Sequence, residues 1–242
     1  MSLLYIYCLL ETVRSDPYLF FVDACAKIGY WSGLLSSRPG MTDRVVAIDA
    51  PPRLLNRLTE HCELNNGDLR CLPGILWSVS CETLTLCDYA QRSGAATVPD
   101  LIPKGGDASD SRYEICSVGH DDLLKLGLLP DRCNLIVTLD IGAAEIPAPL
   151  GARELLKGAV TVIIYEDHGS DSTHRVSRFM FESLRWMVYC RDAFSCQVLP
   201  VRSTADVFER TQNAYTGYNF IACESHSWVV PLLERRSKSC RS

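Results

Sequence analysis

Phe20-Phe21-Val22-Asp23-Ala24-Cys25-Ala26-Lys27-Ile28-Gly29-Tyr30-Trp31-Ser32 is the stretch on which the fold turns. An apolar run of strand length, Tyr18 to Val22, stops at an acid, Asp23. A helix then starts near Gly29 and runs to Ser37, where Pro39 and Gly40 stop it. A strand leading through a short turn into a helix is half of a βαβ unit, and such units assemble a mainly parallel sheet.

The same pattern recurs downstream. Val45 to Ile48 closes on Asp49; Pro51 and Pro52 suit the first turn of a helix whose stripe Leu54, Leu55, Leu58, Cys62 ends at Asn65-Asn66-Gly67. Asn134 to Leu139 closes on Asp140, and Val160 to Tyr165 closes on Glu166. Between them the pattern predicts a third strand, Leu72 to Val79, with Thr83 to Cys87 as its hairpin partner. A strand Tyr113 to Val118 and helices Asp121 to Leu126 and Ala148 to Lys157 follow. After Glu166 come a helix from Thr173 to Tyr189 and strands near Ser195 to Pro200 and Tyr218 to Cys223. Residues 91–112, rich in Gly, Ser, Asp and Pro with no period, read as an inserted loop and lid. No internal repeat or second domain is read. Residues 1–224 are expected to form a single domain, and 225–242, with Arg235, Arg236, Lys238 and Arg241, a solvated basic tail.

Composition narrows the function classes. With 242 residues, 47% of them hydrophobic and 22% charged, the chain can bury one core without metal or disulfide support. A net charge of -5 opposes holding nucleic acid by bulk electrostatics. Twelve cysteines are many, but no pair has the C-x-x-C spacing of a zinc or redox site, so no metal is expected. Cys71, Cys116, Cys133 and Cys223 fall in or beside strand-like runs, where a reduced thiol serves as a small buried hydrophobe. Met1 to Leu10 is apolar without a basic start, Glu11 follows at once, and no apolar run reaches the length of a bilayer span. The expectation is a soluble, intracellular protein with no membrane partner.

In an open parallel sheet, ligands bind beyond the carboxyl ends of the strands. Asp23, Asp49, Asp140 and Glu166 all stand at such ends, and like charges gathered on one rim need a cation or polar ligand to offset them. No G-x-G-x-x-G follows the first strand, so a dinucleotide oxidoreductase lacks its pyrophosphate cradle. The segment Val22 to Ser32 resembles the V-D-x-G-A-N-I-G-x-x-S opening of FkbM-type methyltransferases. Val45 to Pro52 is similar to that family's second-strand segment. Leu135 to Glu145, LIVTLDIGAAE, with Leu150 to Lys157, LGARELLK, resembles its I-K-I-D-V-E-G-A-E and L-K-G-A-x-x-L-L; Glu166-Asp167-His168 matches its E-x-H. The four segments keep order and spacing over residues 18–224.

The resemblance implies an α/β, Rossmann-like class I methyltransferase fold: a mainly parallel seven-stranded sheet with helices on both faces. It implies S-adenosylmethionine as cofactor and O-methylation of a small-molecule or glycosyl acceptor. Asp49 would accept the ribose hydroxyls, as a carboxylate can, with Asp23, Cys25, Gly29 and Ser32 completing the cofactor site. His168 is the first candidate for general base, since histidine alone titrates unperturbed near neutrality. Asp140 and Glu166 would orient it or bind the acceptor. The chain departs from the family at Cys25, a usual glycine, at Lys27, a usual asparagine, and at Gly142 and Ala143, which replace a glutamate and a glycine. Those departures keep open a second outcome, an inactive domain of the same fold that serves a protein partner as subunit or binding module.

Overall fold

In the computed structural model, residues 16–64, 69–88, 96–97, 111–141, 144–152, 154–167, 172–192, 197–212 and 219–238 are described. They fall into two compact units, Phe20–Ala159 and Val160–Ser242 with Met1–Leu19. In the first, the aromatic and β-branched run Leu19–Ala24 forms β1, buried everywhere except at Phe20. Burial of both faces marks a central strand of a parallel sheet. Tyr30–Ser36 forms α1, Val45–Asp49 forms β2 with all five residues buried, and Pro52–Leu64 forms α2. Of the stripe predicted on α2, Leu54 and Leu58 are buried, Leu58 against Ala26 and Ala47, and Leu55 is half-buried; the Cys62 side chain lies outside the description.

Arg70–Pro73 is β3, and Ile75–Trp77 is β4. The single strand expected from Leu72 to Val79 is therefore divided, because Gly74 sits at φ 154° and turns the chain. β3 pairs in parallel with β2, placing Ile48 opposite Leu72. Thr83–Asp88 (β5), Ala96–Thr97 (β6) and Ser111–Gly119 (β7) then build a second sheet with β4, in the order β4-β7-β5-β6. The expected hairpin of Thr83–Cys87 with the third strand is replaced by antiparallel pairing with β7, Thr83 opposite Cys116. The predicted loop at 91–112 lies mostly outside the described residues; of its span, Ala96–Thr97 and the start of β7 are strand.

His120–Lys125 is α3 and Asn134–Leu139 is β8, which neighbours β1 on the side away from β2. The first unit thus has the order β8-β1-β2-β3. The chain winds outward from β1 to β3 and returns to β1's other side, a Rossmann-like switch point that opens a crevice beyond the carboxyl end of β1. The helix expected from Ala148 to Lys157 is two short ones, Pro147–Leu150 (α4) and Leu155–Gly158 (α5). The break has a cause in Asp121, whose carboxylate accepts the Glu154 and Leu155 N–H groups at 2.8–3.1 Å. It caps a new helix start there instead of letting the old helix continue.

In the second unit, Val160–Glu166 is β9, Arg175–Arg178 is α6, and Phe179–Ser183 continues it as one π-helical turn. Met187–Arg191 (β10), Val198–Val201 (β11), Thr204–Thr211 (α7), Asn219–Cys223 (β12) and Val230–Lys238 (α8) follow. The helix predicted to reach Tyr189 stops early, since Arg185 adopts φ 56° and Trp186 N–H caps the turn on Met180 O at 3.0 Å. Val188, Tyr189 and Cys190 are buried as strand residues. β12 runs antiparallel to β9 and to β10, and β11 runs antiparallel to β10, giving the order β9-β12-β10-β11. The large sheet has eight strands where seven are expected. The strand beyond expectation is β10, formed where the helix to Tyr189 was expected; β11 answers to the strand expected near Ser195 to Pro200 and carries Pro200 opposite Tyr189. The tail also departs from expectation, because Val229, Val230 and Leu233 are buried at the start of α8. Among the described residues no helix is long and apolar enough to cross a membrane.

Gly74 offers a test of the β3–β4 division. A Cβ there would lie 2.6 Å from Val118 Cγ2 and 3.2 Å from Cys116 O. Gly74→Ala should cost about 1 to 3 kcal/mol in urea unfolding, whereas Gly127→Ala, whose Cβ meets nothing within 4 Å, should cost about 1 kcal/mol for its positive φ alone. Equal losses at the two positions would mean that the β3–β4 corner is not sterically closed.

Candidate functional site

Asp23 ends β1 with its side chain turned inward, and it is only 3% exposed. Its Oδ2 accepts the Ser32 N–H at 3.2 Å and, at a very short separation, the Ser32 hydroxyl, while its Oδ1 accepts the Thr138 hydroxyl at 2.7 Å. One carboxylate thus caps the first turn of α1 and ties β8 to β1. Burial raises its pKa, and the Ser32 and Thr138 hydrogen bonds oppose the rise. Asp23 and Ser32, both predicted to hold the cofactor, are bonded to one another.

The turn between β1 and α1 is pinned to β2. Ala26 N–H donates to Ile48 O at 3.1 Å, Lys27 N–H to Asp49 Oδ2 at 2.6 Å, and Gly29 N–H to Ala26 O at 2.7 Å. This path drives Cys25 to φ 62° and Lys27 to φ 55°, the left-handed region that costs a side-chain-bearing residue about 1 to 2 kcal/mol. Gly29 is also left-handed, and a Cβ there would collide with Leu58 Cδ1, so only glycine suits both the backbone and α2.

Asp49 stands at the carboxyl end of β2, 2% exposed. Besides Lys27 N–H it accepts Ala50 N–H at 2.8 Å. Burial lifts its pKa to about 6 against the pull of those two donors. Beside it lies a crevice of about 20 Å3 lined by Cys25, Asp49, Pro51, Ile75, Leu86 and Ile141, among others. Burial, followed by the Asp49 and Asp140 carboxylates, pushes the Cys25 thiol well up, so it stays protonated and is no nucleophile.

Asp140, past the end of β8, takes Lys27 Nζ at 2.6 Å, both side chains partly exposed. The cation that the rim acids call for therefore comes from the turn itself. Glu145 is buried and accepts Ile141 N–H at 3.2 Å, closing the turn after β8; Gly142 and Ala143 lie outside the described residues.

In the second unit, Glu166 ends β9 half-buried, and His168 lies outside the described residues. Beyond β9 the structure pairs residues that the sequence reading passed over. His174 Nδ1 is 2.9 Å from Asp167 Oδ1, both residues are buried, and Asp167 Oδ2 accepts Ser177 N–H at 3.1 Å. Among the described residues, the buried His174 Nε2 has no hydrogen-bond partner, and the His174 backbone is left-handed at φ 46°. A buried polar atom left unmet and a strained backbone are both features that gather at working sites. The seven-position spacing of Asp167 and His174 has no motif to betray it. Among the described residues, no three His, Cys, Asp or Glu side chains could hold a metal together.

No protein-family model matches the chain. No curated protein matches it either. Solved structures similar to it include a methyltransferase FkbM from Methylobacillus flagellatus KT, 13% identical with a TM-score of 0.47, over 89% of this chain and 47% of that one. Precorrin-6y C5,15-methyltransferase from Geobacter metallireducens GS-15 is 14% identical with a TM-score of 0.47, over 90% and 87%. The N-terminal domain of human METTL16, in complex with SAH, is 9% identical with a TM-score of 0.43, over 94% and 71%. The chain spans about half the length of the first of these.

The raised pKa of Asp49 makes its ionised form the costly one in the fold. The unfolded chain loses this proton near 3.8 and the folded chain near about 6, so the group's contribution to stability is highest below pH 4 and declines as pH rises through 6. The stability of wild type relative to Asp49→Ala should fall by up to about 3 kcal/mol between pH 4 and pH 7. Urea unfolding of both proteins across that range measures it, and a difference that does not move with pH would refute the shift.

Proposed function

We propose that the chain is an S-adenosylmethionine-dependent methyltransferase of FkbM type that methylates a hydroxyl of a small-molecule or glycosyl acceptor. The observation that carries this reading is Asp49, a buried carboxylate at the switch-point rim beside an apolar crevice. Each of its oxygens accepts one backbone N–H, which leaves a lone pair on each for the two hydroxyls of a ribose. The crevice walls Pro51, Ile75, Leu76, Leu86 and Ile141 are apolar, as an adenine face requires. S-adenosylmethionine, when bound, supplies a methyl group on a sulfonium; the protein's share is to position the reactants and handle the proton.

Lys27 and Asp140 offer one positive and one negative group beside the same turn, a match for the carboxylate and ammonium of an amino-acid end. Beyond β9, a carboxylate at Asp167 accepting from Nδ1–H leaves His174 Nε2 as the proton acceptor. His174 then shares candidacy for the base with His168, Asp167 serves as its positioning residue, and Glu166 remains a candidate for binding the acceptor.

Titration calorimetry with S-adenosylhomocysteine and with 5′-methylthioadenosine, which lacks the amino-acid end, tests the assignment. Asp49→Ala should weaken both ligands about 10- to 100-fold, the loss of hydrogen bonds to a charged group. Lys27→Met should weaken S-adenosylhomocysteine alone. Wild type that binds neither ligand would overturn the cofactor reading; equal loss of both in Lys27→Met would remove Lys27 from the amino-acid end.

The crevice itself favours a second reading, an inactive domain of this fold that binds a protein partner. At about 20 Å3 it has room for about one water, and Cys25 stands in its wall where FkbM-type sequences carry glycine. On that reading, wild type fails to bind S-adenosylhomocysteine while Cys25→Gly, relieved of thiol and strain, gains binding. Tight binding by wild type with no gain in Cys25→Gly would exclude it.

A further inference from the structure

The expectation that the cysteines are mostly buried fails at two of them. Cys81 and Cys116 are free and exposed, whereas Cys133, Cys190 and Cys223 are buried. The β5–β7 ladder brings the exposed two together. Thr83 stands opposite Cys116, Ser117 N–H donates to Glu82 O at 2.8 Å, and Cys81 N–H donates to Ser117 O at 2.9 Å. Glu82 N–H goes to the Ser117 hydroxyl at 2.9 Å, and that hydroxyl donates to Val79 O at 2.6 Å. Cys81 and Glu82 thus share Ser117 as partner, a bulge in which Cys81 takes φ 59°. The bulge brings Cys81, whose N–H is bonded to Ser117 O, beside Cys116. Burial, followed by the neighbouring Cys81 and Asp122, raises the Cys116 thiol, which suits it to the second, resolving step instead of the first attack.

We infer that Cys81 and Cys116 are a thiol–disulfide exchange site, whose oxidant is a low-molecular-weight disulfide and whose product is a reversible Cys81–Cys116 bond. The Cys81 thiolate attacks one sulfur of the small disulfide, forming a mixed disulfide and releasing one small thiol. The Cys116 thiolate then attacks the Cys81 sulfur of that mixed disulfide and displaces the second small thiol. Two protein thiols are oxidised, one small disulfide is reduced to two thiols, and no other co-reactant is used. The bond ties the turn between β4 and β5 to β7, and β4 and β5 supply Ile75, Leu76 and Leu86 to the crevice. The site therefore lies on the same small sheet as part of the crevice wall, and its chemistry stands independently of the cofactor assignment.

The full chain is equilibrated in glutathione buffers graded from reduced to oxidised, quenched in acid, alkylated and mapped by peptide mass spectrometry. The expected result is a peptide pair linked through Cys81 and Cys116 that grows with the oxidised fraction and disappears on adding dithiothreitol. Cys133, Cys190 and Cys223 should remain alkylable only after unfolding. In Cys81→Ser, Cys116 should carry one glutathione instead, because its resolving partner is gone. Glutathione retained on both cysteines of wild type without a link, or a link formed no faster than those at the buried cysteines, would overturn the inference.

Discussion

The carboxylate of Asp23 is the constraint on which the first unit depends. It touches β1, the first turn of α1 and β8 together. Burying it raises its pKa, and the hydroxyls of Ser32 and Thr138 are the donors that make the burial tolerable. With both ends of the β1–α1 turn held in this way, residues 24–29 have no freedom to relax. Two residues with side chains therefore occupy left-handed backbone, and Lys27 is delivered to Asp140. The local strain and the charge arrangement at the rim follow from one buried hydrogen-bond cluster.

That cluster also divides the work among the rim acids. Asp23 is consumed by structure, Asp140 is matched by Lys27, and Asp49 keeps accepting capacity at a place where burial has already made its charge costly. A donor that approached Asp49 would relieve a penalty the fold already carries, which is the electrostatic mark of a binding group. The thiol beside it is held neutral by the same carboxylates. Cys25 therefore acts on the crevice by its volume and backbone alone.

Strands with an acid at their carboxyl end were legible in the sequence, because burial of both faces writes itself as an unbroken apolar run: β1, β2, β8 and β9 all begin and end within a residue or two of expectation. What failed depended on tertiary contacts. Leu72 to Val79 reads as one apolar run, and only Gly74, forced against β7, splits it between two sheets. The helix after Thr173 has the right period, but the π-turn and the left-handed Arg185 hand its last residues to β10. In the candidate site, Asp49 and the strained turn were legible from a strand end and a displaced glycine. The role of Asp23 was not, since nothing local tells which way a strand-end carboxylate faces. The Asp167–His174 pair was equally hidden, because it joins two loop residues through a fold-dependent reversal.

The edge strand β11 has a consequence for the protein's life in a crowded solution. Without β11, the last strand in the order would be β10, whose Met-Val-Tyr-Cys-Arg sequence offers an apolar, fully donating edge to any extended chain. β11 covers that edge with four residues, and exposed Pro200 among them has no N–H to extend the ladder. The strand works as a terminator: it satisfies its neighbour and leaves a broken template for the next molecule, so the sheet stops growing at the protein's own boundary.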